Sequence, residues 1–568
     1  MGVRLQGTGQ QRRIAWLTAV FAAVGIVLAG RLVWWQLFPN EELISLSLSD
    51  IDRPNTIPAA RGSILDANGQ YLVASTVQYR IAVSPRLLAP WQREELAPQL
   101  AAILGKPEAE IAATLAMTDT EYAVLGDDYS VWVAQQIEDL DVSAFSLETR
   151  FRRVYPDDAL AASVVGFVDL QGQAQYGLER YYDRQLRGQD GVWRGITDSW
   201  GEPIMMTQGG YRPARDGADL VLTLDRNVQH AAERILRAGI EEHKALAGNI
   251  LVMDPRTGGI LAMANYPGYS PGEYWRVESL EHYVNTAVSA LYEPGSVFKP
   301  LTLAAAFEAR VIRPTDSYDD RGEILVGNQR IRNADREAHG PTTMTELLAY
   351  SRNVGAAHVA ATLGPTRFYE IIRRFGFGEV TGIDLMHEVP GIMRVPGARD
   401  WHMSDLGANA FGQGISVTPI QVVAAYGALA NDGVLMRPYI VAEVHEGNDV
   451  DHREPFRVRR VISSEVARQL MEIMADATEL GMAQATVPGY RVAGKSGTAG
   501  IPDREGYENE DIIASYVGFG PVPDPRFVIL VRLDKPQKGD WGIEVAAPAF
   551  AEMAKFLIDY YGIAPATG

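Results

Sequence analysis

The chain of 568 residues is 47% hydrophobic and 22% charged, an ordinary globular composition with material for a large core. Its 52 Lys and Arg against 71 Asp and Glu leave a net charge of −19, which favours solubility and excludes the clustered positive charge that nucleic-acid binding draws on. Cysteine is absent, so disulfides, thiolate metal sites, a cysteine nucleophile and a lipid-modified N-terminal cysteine are all excluded.

The first departure from a soluble profile is at the N-terminus. Ile14 to Gly30 is almost wholly apolar, and after Arg31 the run continues through Trp34 and Trp35 to Phe38. At about 1.5 Å per residue this spans roughly 37 Å, enough for a slightly tilted transmembrane helix. Arg4, Arg12 and Arg13 precede the run, whereas Glu41, Glu42, Asp50 and Asp52 follow it. The positive-inside rule then makes residues 1–13 a cytoplasmic tail and 14–38 a single-pass membrane helix, with the rest of the chain outside. A cleaved signal peptide shares this polarity, but Leu28 occupies a position before Ala29-Gly30 that a cleavage site needs to be small.

Residues 39–215 read as a first extracytoplasmic domain. An extended arm from Arg53 leads into a hairpin whose turn is Asn68-Gly69, and helical spacing runs through Leu96, Leu100, Ile103 and Leu104. A second domain, 216–568, opens with a strand at Leu220 to Leu224 and a helix from Asn227 to His243. A hairpin follows at 249–264, its turn holding Gly258-Gly259. Strands at 514–519 and 527–533 and a closing helix from Glu544 to Tyr561 complete it. Strands at both ends around a helical middle, 296–435, predict an α+β domain with its sheet covered by the N- and C-terminal helices.

Three motifs fall in order inside this domain. Ser296-Val-Phe-Lys299 opens a helical run, and its i, i+3 spacing puts a hydroxyl and an amine on one face. Pro300 requires that the helix has just begun. Ser351-Arg352-Asn353 lies at a junction after a helix capped by Thr343 and Glu346, where a hydroxyl and an amide can hold a lysine's proton network. Lys495-Ser496-Gly497-Thr498 reads as a strand whose glycine admits a substrate backbone, whose hydroxyls can bind a carboxylate and whose N–H can face an oxyanion. Each is weak alone; their order is what carries weight. The polar loop Gly500 to Asp511 after the third motif is expected to be mobile. The nine histidines make no metal-ligand pattern, His358 reads as a packing residue, and no cofactor is implied.

The chain resembles the class B penicillin-binding proteins over nearly its whole length. Beside the three motifs, Arg61-Gly62-x-Ile64-x-Asp66-x-x-Gly69, Arg153-x-Tyr155-Pro156, Gly166 and Gly177-x-Glu179-x-x-Tyr182-Asp183 look like boxes of that family's pedestal. Phe411-Gly412-Gln413-Gly414 with Thr418-Pro-Ile-Gln421 looks like a further transpeptidase segment. Arg352 and Ser496 depart from the usual Asp and Thr, the second keeping its hydroxyl. The resemblance implies an α+β protein with a single membrane helix, an elongated pedestal, and a serine β-lactamase-like transpeptidase domain with a central antiparallel sheet and a helical subdomain. It implies acyl transfer from D-Ala-D-Ala stem peptides, with Ser296 as nucleophile and Lys299 as base, its proton affinity lowered by the helix end and by Lys495. Ser351 would relay a proton, Asn353 hold the substrate amide, Lys495, Ser496, Gly497 and Thr498 bind substrate, and the N–H groups of Ser296 and Thr498 form an oxyanion hole. It also implies reaction with β-lactams and a SEDS-type membrane glycosyltransferase as partner, contacted through the membrane helix and a pedestal that includes Arg61. The context Tyr292-Glu-Pro-Gly-Ser leans toward the division type. A β-lactamase or β-lactam sensor, a carboxypeptidase, and a non-catalytic scaffold of a membrane complex are the alternatives.

Overall fold

A computed structural model describes residues 9–37, 54–197, 203–501 and 511–565. Most of the expected tail 1–13, and residues 502–510 of the loop expected to be mobile, lie outside the described residues. The chain forms two units. One gathers Met1–Ala59, Val77–Arg150 and Gln189–Arg215, and the other Ala60–Thr76, Phe151–Gly188 and Asp216–Gly568. The segment 39–215, expected as one domain, is thus shared between the two, and the chain passes from one to the other within the strands Tyr71–Val83 and Phe145–Val154.

In the first unit, the helix Gly9–Leu37 contains a 23-residue span, Arg12–Trp34, with mean hydropathy 2.0 and none of it buried. That is long and apolar enough to cross a membrane. Further along, Pro90–Leu104 and Glu108–Leu115 bury Leu96, Leu100, Leu104, Ile111 and Leu115 against Ile81, Val83 and Phe145. The expected spacing is the buried face of the first of these helices. Gly105, at φ +65°, ends it in the left-handed cap that glycine adopts without strain.

In the second unit the pedestal boxes converge on one ion-pair cluster. Fully buried Glu179 accepts from Arg61 Nε at 2.6 Å and from Arg153 Nε at 2.8 Å, while Arg61 Nη1 reaches Asp183 at 2.7 Å. Arg61, with 11% of its side chain exposed, is held inside this cluster. Asp66, also fully buried, accepts from the backbone N–H of Asn68, Gln70 and Arg226, tying the Asn68-Gly69 hairpin to the next helix.

That helix, α1 (Arg226–His243), follows the N-cap Asp225 and begins one residue before the expected Asn227. The hairpin β1 (Ala247–Met253) and β2 (Ile260–Tyr266) follows as expected. The site is framed by α2 (Lys299–Glu308), α3 (Met344–Ala349), α4 (Asn353–Leu363) and α5 (Pro419–Ala430). β3 (Ala493–Gly500), β4 (Ile512–Gly520), β5 (Phe527–Asp534) and α6 (Ala547–Tyr560) close the domain. The expected helix Glu544 to Tyr561 is in fact two pieces, Gly542–Val545 and α6. The strand expected at 220–224 is Asp219–Leu222, and it pairs with Ile64–Leu65 and Val441–Glu446, outside the central sheet.

The central sheet is antiparallel throughout, in the order β2-β1-β5-β4-β3. Successive side chains of a strand point to opposite faces. Accordingly Tyr516 of β4 meets Phe550 of α6 at 4.7 Å, while Phe519 meets Tyr426 of α5 at 6.5 Å on the other side. Every residue of α5 is buried, so it is the core helix of the domain. Its start is the expected capping box, Thr418 with Gln421 and Pro419 at the first position. The helical middle also contains two short strand pairs, Ser317–Asp320 with Gly340–Thr343 and Glu323–Val326 with Gln329–Arg332.

Candidate active site

The turn that carries Ser296 is made by glycines meeting backbone to backbone. Gly295, at φ +58°, donates its N–H to Gly412 O at 3.1 Å, and a Cβ on Gly412 would lie 2.2 Å from Gly295 O. Ser296 itself lies in a 3₁₀ turn, Gly295–Phe298, and the α-helix proper begins at Lys299. This corrects the expectation that Ser296 opens the helix, and it strengthens the pairing, because residues three apart eclipse in a 3₁₀ turn. Pro300 falls at the second position of α2, where no intrahelical donor is lost.

Lys299 Nζ donates to Ser351 O at 2.6 Å, Ser351 Oγ at 3.0 Å and Asn353 Oδ1 at 2.8 Å. Ser351 can offer both oxygens because its backbone is left-handed, φ +57°, a conformation that costs energy in any residue with a Cβ. Lys495 Nζ donates to Ser496 O at 3.0 Å. A Cβ on Gly497 would come within 2.6 Å of Ser515 Oγ and 3.0 Å of Pro294 O, so glycine here lets β3 lie directly against the Ser296 turn. Thr498 Oγ1 accepts from Gly542 N at 2.9 Å, which leaves its own proton free to point elsewhere.

Together these segments enclose a cleft of about 520 Å³, lined among others by Ser296, Ser351, Asn353, Ser496 and Thr498. Lys299 and Lys495 are fully buried and, like Gly497, are not among the residues that line the cleft. Burial pushes Lys299 well below the ordinary lysine range, with repulsion from Lys495 and Arg352 adding to it. Burial takes Lys495 down to about 7. Three acceptors around Lys299 suit an ammonium, yet none of them is charged, so desolvation and two neighbouring cations prevail. An amine whose hold on its proton burial weakens, three residues after a hydroxyl, is the equipment for activating a serine.

Residues 248–555 match the family described as penicillin binding protein transpeptidase domain, and 56–222 match the penicillin-binding protein dimerisation domain. Stage V sporulation protein D of Bacillus subtilis is 33% identical over 573 residues, covering 99% of this chain and 88% of that protein. The chain belongs to the penicillin-binding protein family. Within it, the relatives place the chain among the class B members. One, from Mesostigma viride, is named a peptidoglycan D,D-transpeptidase FtsI homolog and is 27% identical over 97% of this chain and 96% of its own length. Among solved structures, penicillin binding protein 3 from Mycobacterium tuberculosis complexed with aztreonam superposes with a TM-score of 0.70. It is 27% identical, covering 90% of this chain and 98% of that one.

Several residues of this cleft escaped sequence reading. Asn333 lines the cleft; its Nδ2 reaches both oxygens of buried Asp320, and its Oδ1 caps Val354 N at 3.1 Å in the first turn of α4. Asp335 pairs with Arg352 on the same wall. Gly542, whose amide holds Thr498, has no room for a Cβ, which would lie 2.0 Å from Gly497 O. The polar run Asn333-Ala-Asp335 was the available signal, but nothing local distinguishes it from a surface turn. His358 packs at 5.6 Å against the ring of Tyr318 and is remote from the cleft lining.

Proposed function

We propose that this protein is a serine D,D-transpeptidase that cross-links peptidoglycan stem peptides through an acyl-enzyme on Ser296. The observation that carries the reading is the convergence of three separate motifs on one cleft, with Ser296 in its wall and two fully buried lysines whose hold on a proton burial lowers. In the first step Ser296 Oγ attacks the carbonyl carbon of the penultimate D-Ala while Lys299 takes the hydroxyl proton. The N–H groups of Ser296 and Thr498 receive the oxyanion. The C–N bond breaks, Ser351 passes a proton to the departing D-Ala amine, and an ester remains on Ser296. The amine of a second stem peptide attacks that ester, loses its proton to the same network and restores the serine hydroxyl. Asn353 holds the substrate amide. Lys495, Ser496 and Thr498 receive the terminal carboxylate, and Gly497 keeps the strand close to the nucleophile turn. A β-lactam enters by the first step and stays as the acyl group.

The helix Gly9–Leu37 serves as a single-pass anchor, with the arginines that precede its apolar run in the cytoplasm and the catalytic unit outside. Small residues along it, Ala22, Ala23, Gly25, Ala29 and Gly30, admit close helix contact with a SEDS-type glycosyltransferase of the division machinery, which would deliver nascent glycan. The deciding experiment for the activity is labelling by a fluorescent penicillin. Ser296→Ala should remain folded and take no label, and a folded variant that labels like wild type would refute the assignment.

A further inference from the structure

Arg352, the residue that stands where the family's usual motif has Asp, is held at both ends. Its backbone precedes the first turn of α4, and its guanidinium Nη1 donates to Asp335 Oδ2. The guanidinium carbon lies 5.4 Å from the centre of the Tyr350 ring, and only 14% of the side chain is exposed. Its Nε is buried with no hydrogen-bond partner among the described residues. Asp335 is fixed in turn, accepting from Glu337 N at 3.1 Å and meeting His339 Nε2 at 3.0 Å. The loop that carries it is tied to the second motif, since Asn333 caps Val354 and Asn353 Nδ2 donates to Arg332 O at 3.3 Å. A guanidinium held this way cannot swing into bulk water, and it never loses its proton.

The charged groups facing Lys299 are Lys495 from β3 and Arg352 from the α3–α4 junction. The oxygens that touch it, from Ser351 and Asn353, are neutral. Asp335 is the carboxylate on this wall of the cleft, and Arg352 engages it. We propose that Arg352, pinned by Asp335 and Tyr350, is a positioning residue that sets the charge environment of the acyl-transfer lysine from the wall of the cleft. Asp335 tunes it by partly offsetting the guanidinium charge. This rests on Lys299 being the proton acceptor for Ser296.

The test is the pH dependence of acylation of the full chain by a fluorescent penicillin, read as the position of the low-pH limb. Removing a nearby like charge lets the lysine keep its proton longer. Arg352→Gln should therefore move the limb upward by about one pH unit, and Arg352→Lys, which restores a cation, should bring it back toward wild type. Asp335→Asn leaves the guanidinium uncompensated and should move the limb downward, by less. Opposite shifts from the two partners of one ion pair are the signature of electrostatics. A mere strut would give slower acylation with an unmoved limb, or the same displacement in both variants, and either result overturns the proposal. Asp335→Asn retains the guanidinium charge and an amide oxygen that can still accept from it, so its downward shift tests the electrostatic coupling even where Arg352→Gln does not fold. A wild-type protein that takes no label would instead refute the transpeptidase reading itself.

Discussion

Around Glu179 this protein buries charge in pairs, whereas behind Ser296 it buries like charges together. The first cluster surrounds one carboxylate with two guanidiniums and adds Asp183 at its edge, so opposite charges satisfy each other at 2.6 to 2.8 Å. The second places two lysines in full burial with only neutral oxygens as partners and a third cation, Arg352, on the cleft wall. Pairing keeps charge in place and makes a joint. Burial without pairing drives charge out and leaves a basic amine, which is useful for chemistry and costly for stability.

The sharpest way to break this contrast is to make the unpaired lysine unable to lose its proton. Lys299→Arg should lower the acylation rate by about a thousandfold or more, the scale of a lost general base, because a guanidinium stays protonated. Stopped-flow measurement with a labelled penicillin checks it, and a rate near wild type would place the proton acceptor elsewhere. At the paired cluster the expected loss is of fold stability. Glu179→Ala leaves Arg153 buried without its carboxylate and Arg61 with Asp183 alone, and should cost about 3 to 5 kcal/mol in chemical denaturation. Little change there would mean that solvent reaches the cluster.

The smaller effect is a pH dependence from Lys495. Its amine gives up a proton near 7 in the folded protein, but near 10.5 in the unfolded chain. Between those values the unfolded state binds more protons, so this residue makes stability rise with pH, by about 2 to 4 kcal/mol across the window. Lys495→Met should flatten that rise relative to wild type in denaturation curves measured from pH 7 to 10. Equal slopes would show that the folded lysine keeps its charge.

Local chemistry in the chain was enough to find the membrane-length helix, the hairpin 247–266, the caps at Thr343 and Thr418, and the three motifs in their order. Each of these is a short-range signal: a run of apolar residues, an alternation, a side chain reaching a backbone N–H two or three residues on. That strands at both ends of the domain join in one sheet was also within reach, because each must bury its face, whereas the antiparallel order came only with the family resemblance. Tertiary structure alone decided the rest. Arg61, Arg153 and Glu179 are separated by up to 118 positions, and only folding makes them one cluster. No local pattern tells whether an exposed-looking Asp335 will find Arg352, or that Gly542 will press against Gly497. Lys299 is the clearest case. A lysine three residues after a serine is visible in sequence, but its readiness to accept a proton comes from burial and from cations supplied by β3 and the α3–α4 junction, and desolvation exists only once the chain has closed around it.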